Sequence, residues 1–271
     1  MSNITHRAKK KRKFTDAGGI QKQAVYTARK TLSTVGKRGK KEKPTNEAQR
    51  RMNNIYQYEK LEELLATNFQ SAGSANVFTL TFDDKHLPRS KSRDQEREMV
   101  KNKVKYFLKK LRDARKEAGL PEPVALGTIE SLTAVGERWH VHLVLDNTGK
   151  DYDIVRKAWI YGTQIEAEPL RVDSEKNWET LAKYMTKEAR ERQDSCSKPG
   201  QHAWFYTRNI KRPIVEVEWV DEDTDIIIPE GTIVMQNEKV KTEFGSCHYV
   251  KYRYPASDAD RALVSGTPPV S

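Results

Sequence analysis

The sequence predicts an α+β fold, and three observations predict it. Short segments with strand alternation are interleaved with helical segments in a fixed order. One strand, RWHVHLVLD (138–146), carries His140 and His142 on one face and Trp139, Val141, Leu143 and Leu145 on the other. The surplus of positive charge sits at one end: residues 1–50 hold 15 of the 49 Lys and Arg but only 3 of the 38 Asp and Glu.

Residues 1–44 contain KKKRK and GKRGKKEKP, and apolar periodicity is weak there. They are expected to be a basic arm, disordered in isolation. Lys9, Lys10, Lys11, Arg12, Lys13, Lys37, Arg38, Lys40 and Lys41 would meet nucleic-acid phosphates, although a solvated tail has the same composition. Residues 45–70 form a helical lead-in. Met52, Ile55, Tyr56, Leu61, Leu64 and Leu65 recur at helical spacing, Thr45 or Asn46 can cap the start, and the loop SAGSAN follows.

The central domain spans 71–212. VFTLTF (77–82) alternates, with Phe78, Leu80 and Phe82 on one face and Val77, Thr79 and Thr81 on the other. Residues 94–119 read as a helix with Met99, Val100, Val104, Phe107, Leu108 and Leu111 as its apolar stripe and Gly119 as its stop. PVALGTIE (123–130) and RWHVHLVLD are two further strands. DYDIVRKAWIYG (151–162) is a short helix ending in glycine, and TQIEAEPLRV (163–172) is a fourth strand. The order β-α-β-β-α-β is the ferredoxin-like split β-α-β arrangement. It places both helices on one face of an antiparallel sheet and leaves the other face open. Another helix, NWETLAKYMTKEARER (177–192), follows.

A small β-rich extension is expected at 213–254, from PIVEVEWV (213–220), DIII (225–228), TIVMQ (232–236) and CHYVKYRY (247–254), with a loose tail at 255–271. Hydrophobic residues are 36 % of the 271 and charged residues 32 %, enough to build a core in a polar chain. Two cysteines, Cys196 and Cys247, make neither a disulfide framework nor a CxxC zinc motif and suit a reducing cytosol. No apolar run reaches the ~18 residues of a membrane span, and the charged N-terminus is not followed by the apolar stretch of a secretion signal. A cytoplasmic location without membrane contact is expected.

The strand period of two puts both imidazoles on the open face, about 7 Å apart at Cα. Neutral imidazole is a common metal ligand, and two side chains at that spacing can converge on one ion. Taken alone, an H-x-H pair equally suits a solvated strand face. Glu130 ends the preceding strand of the hairpin and is a candidate third ligand, since two histidines and a carboxylate with open positions form a catalytic metal arrangement. Glu137 and Asp146 are alternatives at loop edges. On the following helix Tyr184 and Lys187 are i and i+3, hence on one face. A tyrosine hydroxyl is a poor nucleophile near neutrality, but it serves phosphoryl transfer when a cation stabilises the developing charge.

VFTLTF, then IE…WHVHLVL, then AKYMTKE resemble the three ordered motifs of the HUH rolling-circle replication endonucleases, and more closely the single-tyrosine replication proteins of bacterial phages and plasmids. NF before the first strand, AWIYG after the histidine strand and YTRNIKRP (206–213) add to the likeness, which covers roughly residues 66–215. The resemblance implies that 71–212 is an HUH endonuclease domain. It implies Mg²⁺ or Mn²⁺ on His140, His142 and Glu130, Tyr184 as nucleophile, and Lys187 assisting at the phosphate or metal. It further implies nicking of single-stranded DNA at a replication origin, giving a 5′-phosphotyrosine and a free 3′-OH, in a bacterial cytoplasm with host helicase and polymerase as partners and no small-molecule substrate. Thr180 and Glu188 flank Tyr184 at four residues, so the paired-tyrosine pattern is absent. No GxxxxGK[ST] is present, so no helicase is fused to the chain. A relaxase or single-tyrosine transposase would use the same chemistry. A non-catalytic RRM-like module is the rival of another class, but its aromatic platform is replaced here by Thr79, Thr81, His140, His142 and Val144.

Overall fold

The computed structural model describes residues 9–28, 47–133, 136–173, 176–187, 204–243 and 245–255. Among the described residues the chain is mixed α+β, with two antiparallel five-stranded sheets and four helices. It divides into two compact units, one made of Met52–Lys211 and the other of Met1–Arg51 with Arg212–Ser271. Among the described residues no helix is long and apolar enough to cross a membrane.

The contiguous unit holds α1 (Glu47–Asn68, from residue 52 on), β3 (Ala75–Thr81), α2 (Arg93–Glu117), β4 (Ala125–Thr133), β5 (Gly136–Asp146), α3 (Asp151–Ala158), β6 (Ile165–Pro169), α4 (Trp178–Met185) and β7 (Trp204–Tyr206). Its sheet runs β6-β3-β5-β4-β7, every neighbour antiparallel. Strands β3 and β4, joined through α2, therefore run in one direction with β5 between them. Strands β5 and β6, joined through α3, run the other way with β3 between them.

One face of this sheet is the main core. Phe78, Leu80, Phe82, Ile129, Trp139, Val141, Leu143 and Leu145 pack against Val100, Val104, Phe107 and Leu111 of α2 and Val155 and Ala158 of α3. Each such fully buried side chain contributes roughly 1.5–3 kcal/mol. Helix α2 starts at Ser92, whose side chain accepts from the Gln95 backbone N–H. Its stripe differs from the expected one at both ends. Met99 is exposed, and the buried row 100, 104, 107, 111 continues to Arg115, which is 0 % exposed. An ion-pair network makes that burial tolerable. Arg115 Nη1 meets both carboxylate oxygens of Asp146 at 2.8 and 2.9 Å, and Nη2 reaches the Asp146 carbonyl at 2.7 Å and Asp151 Oδ1 at 2.6 Å. One guanidinium thus ties the end of α2 to the end of β5 and the start of α3.

The segment AWIYG leaves α3 after Ala158, four residues before the expected glycine stop. Trp159 buries its ring between Phe82 and Phe107 and donates from Nε1 to the Thr81 carbonyl at 3.1 Å. Gly162 runs so close to β3 that a Cβ would sit 1.9 Å from the Thr81 oxygen. Strand β6 covers only 165–169 of the expected 163–172, and it is an edge strand kept polar by Glu166 and Glu168.

The other face of the sheet is covered rather than open. Leu126 and Val144 on that face are fully buried. Helices α1 and α4 lie beside each other, with Trp178 Nε1 donating to the Phe69 carbonyl at 2.7 Å and the Lys183 ammonium over the Tyr58 ring. Leu61, Leu64, Leu65, Trp178, Ala182 and Met185 are buried. In α1 the expected apolar positions Ile55 and Tyr56 turn out exposed.

The second unit corrects the expectation of a disordered arm. Residues 9–28 form β1 (Lys9–Asp16) and β2 (Gln21–Ala28), a hairpin whose turn uses Gly18 at φ 70°. With β8 (Ile214–Val220), β9 (Ile233–Thr242) and β10 (Gly245–Arg253) they make a sheet in the order β8-β1-β2-β10-β9. The lysine-rich strand, with Lys9, Lys10, Lys11, Arg12 and Lys13, is interior, paired to β2 on one side and β8 on the other. Lys37, Arg38, Lys40 and Lys41 lie outside the described residues, as does the 256–271 part of the tail. The segment DIII forms no strand; Ile226 and Ile228 pack on Val25, Val220, Val250 and Tyr252 as a plug over one sheet face.

Two outcomes are expected from this architecture. Replacing Arg115 by Leu strands the buried Asp151 carboxylate and should cost about 3–5 kcal/mol, read as a lowered urea midpoint with the slope unchanged. Deleting residues 1–44 removes two interior strands rather than a tail. Amide exchange in β8 and β10 should then lose protection, while β3–β5 keep theirs.

Candidate metal centre and tyrosine

The site is assembled by strand register. In the ladder His140 stands between Thr81 of β3 and Glu130 of β4, and His142 between Thr79 and Thr128. Directly opposed residues share a face, so this pairing aims Glu130, Thr79 and Thr81 to the histidine side. The β4–β5 ladder is irregular just beyond Glu130 and His140: Ser131 alone stands across from Arg138 and Trp139, so β5 carries the extra residue, and Leu132 resumes pairing with Glu137. A bulge bends its strand and re-aims side chains locally.

His140, His142 and Glu130 are all buried, at 8, 1 and 8 % exposure. Their ligand atoms lie within 4.8 Å of one another. His140 Nε2 and His142 Nε2 are 3.1 Å apart, and Glu130 Oε2 is 3.7 and 3.5 Å from them. This cluster could bind a metal ion.

Hydrogen bonds behind the cluster orient its rings. His140 Nδ1 faces the Arg138 carbonyl at 3.1 Å. A carbonyl only accepts, so Nδ1 donates, and Nε2 is turned toward Glu130 and His142. His142 Nδ1 faces Thr79 Oγ1 at 3.2 Å. The Thr79 hydroxyl thus holds the His142 ring from behind and turns its Nε2 toward His140 and Glu130. Glu130 Oε1 is buried without a hydrogen-bond partner among the described residues, and so is Thr128 Oγ1. Such orphaned groups cost about 1–3 kcal/mol each, and a cation would relieve the carboxylate. Burial pushes the Glu130 carboxyl up, but hydrogen bonds and charge from His140 and His142 outweigh it and hold it below its ordinary value.

Tyr184 is brought to this cluster. Its helix is fixed by a capping box, Asn177 accepting from the Thr180 N–H while Thr180 Oγ1 accepts from the Asn177 N–H, and by the buried Trp178. The Tyr184 ring meets the His142 ring edge-on at 4.9 Å between centroids and stays 54 % exposed. Burial, then the charges of Glu130, Glu166 and Glu168, raise its hydroxyl pKa. Beside it opens a cleft of about 410 Å³ lined by Val77, Glu168, Leu170, Arg171, Lys176 and Thr180 among others.

Helix α4 runs to Met185 with Thr186 as its cap, and Lys187 just beyond is exposed. Asp146 is engaged by Arg115 at the far end of β5. Sequence reasoning missed Thr128, Glu166 and Glu168, and it missed Arg171 and Lys176 as cations lining the cleft. The strand alternation of β6 was the available signal for the two glutamates. Compared with protein-family models, curated proteins and solved structures, the chain matches none.

Adding Mn²⁺ should raise the thermal unfolding midpoint of the chain, and excess EDTA should reverse it. At a hundredfold excess over its dissociation constant the ion adds about 2.7 kcal/mol. His142→Ala should abolish the shift and Glu130→Ala should reduce it. A shift of wild-type size in His142→Ala would place the ion elsewhere.

Proposed function

We propose that this chain is a rolling-circle replication initiator of the HUH type, which nicks single-stranded DNA at an origin with Tyr184 as nucleophile. The observation that carries this reading is the packing of a half-exposed tyrosine ring on one member of a buried His-His-Glu cluster. The strand order β6-β3-β5-β4, with α2 and α3 on one face, supports a ferredoxin-like split β-α-β core beneath the site.

His140, His142 and Glu130 would hold Mg²⁺ or Mn²⁺. Such an ion, when bound, polarises a phosphodiester and offsets the charge gathering on it. The chain's own residues do the rest. Tyr184 Oη attacks phosphorus, forming the P–O bond to the enzyme as the bond from phosphorus to the 3′ oxygen breaks. The tyrosine gives up its proton and the departing oxygen gains one, leaving a 3′-OH and a 5′-phosphotyrosine. Burial, then the charges of Glu130, Glu166 and Glu168, disfavour Tyr184 as an anion, so positive charge brought in at Glu130 would favour its activation.

Tyr184→Phe removes one oxygen from an exposed position, so folding and DNA binding should be intact while nicking and adduct formation vanish. The measurement is a denaturing gel of oligonucleotides from the neighbourhood of the gene, labelled on either side of the nick and incubated with Mn²⁺. Adduct formed by the Phe variant, or protein carrying the label from the 5′ side of the nick, would overturn the mechanism.

A further inference from the structure

The β8-β1-β2-β10-β9 sheet has two unlike faces. On one, Val25, Val250 and Tyr252 are packed under Ile226 and Ile228. On the other, ladder register sets up two cross-strand rows. The first reads Trp219, Lys11, Tyr26, Cys247, Val240 and the second Val217, Lys13, Ala24, Tyr249, Glu238. Directly opposed residues share a face, so three aromatics and two lysines lie together on strands about 4.8 Å apart. Trp219 is 43 % exposed, Lys13, Cys247 and Val240 are exposed, and Lys11, Tyr26 and Tyr249 are half-buried.

Charge is sorted between the faces. Glu216 and Glu218 of β8 point to the plugged side, where Arg12 pairs with Glu218 at 3.3 Å. Among the described residues neither Lys11 nor Lys13 has an acidic partner at ion-pair distance; Glu238, bonded to Gln236, is the acid on their face. Lys11 instead rests its ammonium over the Trp219 ring at 4.4 Å. An exposed cation–π contact is weaker than a base stacked on an aromatic ring. A base arriving at Trp219 would displace the ammonium, which is then placed to meet the phosphate beside that base.

We propose that this face binds single-stranded nucleic acid, with bases stacking on Trp219, Tyr26 and Tyr249 and Lys11 and Lys13 taking the phosphates. Interleaved aromatics and cations on an exposed sheet face are the chemistry that holds a single strand without reading its sequence. The site needs neither the metal cluster nor Tyr184.

The full chain gives a direct test, because of its five tryptophans Trp139, Trp159 and Trp178 are buried, Trp204 is half-buried and Trp219 is the most exposed. Titrating it with the oligonucleotide dT15, which carries no origin sequence, should quench tryptophan fluorescence, and Trp219→Ala should remove that quench. Tyr26→Ala keeps the reporter and should weaken binding roughly tenfold. The Lys11→Ala, Lys13→Ala double variant should flatten the log–log salt slope by about 1.4, at ~0.7 per phosphate contact on a single strand. Tyr184→Phe should quench like wild type, so loss of nicking leaves this result standing. Fluorescence unmoved by saturating dT15, an equal response to duplex dA15·dT15, or a dimer that dissociates on Trp219→Ala would each overturn the proposal, the last by making the face a contact between copies of this chain.

Discussion

The register of β5 is the constraint on which the contiguous unit depends. Its odd positions, Trp139, Val141, Leu143 and Leu145, fill the core under α2 and α3, and its even positions carry His140 and His142 to the site. A slip of one residue would exchange the two sets, burying imidazoles in the apolar core. Two devices outside the ladder resist that slip. Arg115 grips Asp146 at one end of β5, and Arg138 at the other end donates to the Phe82 carbonyl at 2.6 and 3.1 Å. The geometry of the cluster is thus inherited from core packing and two guanidinium clamps. None of these groups would touch a substrate.

Around that fixed pair the electrostatics favour a cation. Glu130, Glu166 and Glu168 surround Tyr184 with negative charge, and their effect on the hydroxyl is to keep its proton on. Lys183, the residue before Tyr184 on α4, is engaged by Glu179 and lies over the Tyr58 ring. Arg171 and Lys176 line the cleft, but they sit beside Asp173 and Glu168. Among the described residues the frame around Tyr184 is acidic and holds a buried carboxylate oxygen without a hydrogen-bond partner, a setting that favours a cation.

Much of this was legible because strand alternation encodes facing. The assignments of Phe78, Leu80 and Phe82 to the core and of His140 and His142 to the opposite face follow from period two alone, and PVALGTIE supplied the hairpin partner that carries Glu130, although β4 continues past it to Thr133. What was not legible required partners distant in sequence. Arg115 occupies an apolar position of α2 that only Asp146 and Asp151 make tenable. The histidine face was expected to be open, and nothing local to β4 and β5 foretold the burial of Leu126 and Val144 there. The basic hairpin was hidden by its own charge. Five consecutive cations outweigh β-propensity in any local reading, although the Gly-Gly turn and the alternation in QAVYTA were strand signals.

That charge has a physical use. The hairpin β1–β2 is made first, but its neighbours β8 and β10 come more than 180 residues later. Long-range pairing of this kind forms late. Until then both edges of the hairpin are exposed, and an exposed edge invites pairing with another chain. Lysine along such a strand is a deterrent to that, since a second copy brings like charge. The correct partner carries the complement: β8 sets Glu216 and Glu218 opposite Phe14 and Arg12. The same five cations that read as a disordered tail are thus consistent with a strand that must wait, remain soluble and then accept one acidic neighbour. In the closed sheet Arg12 is the one joined to β8 by an ion pair, which leaves Lys11 and Lys13 on the opposite face for other work.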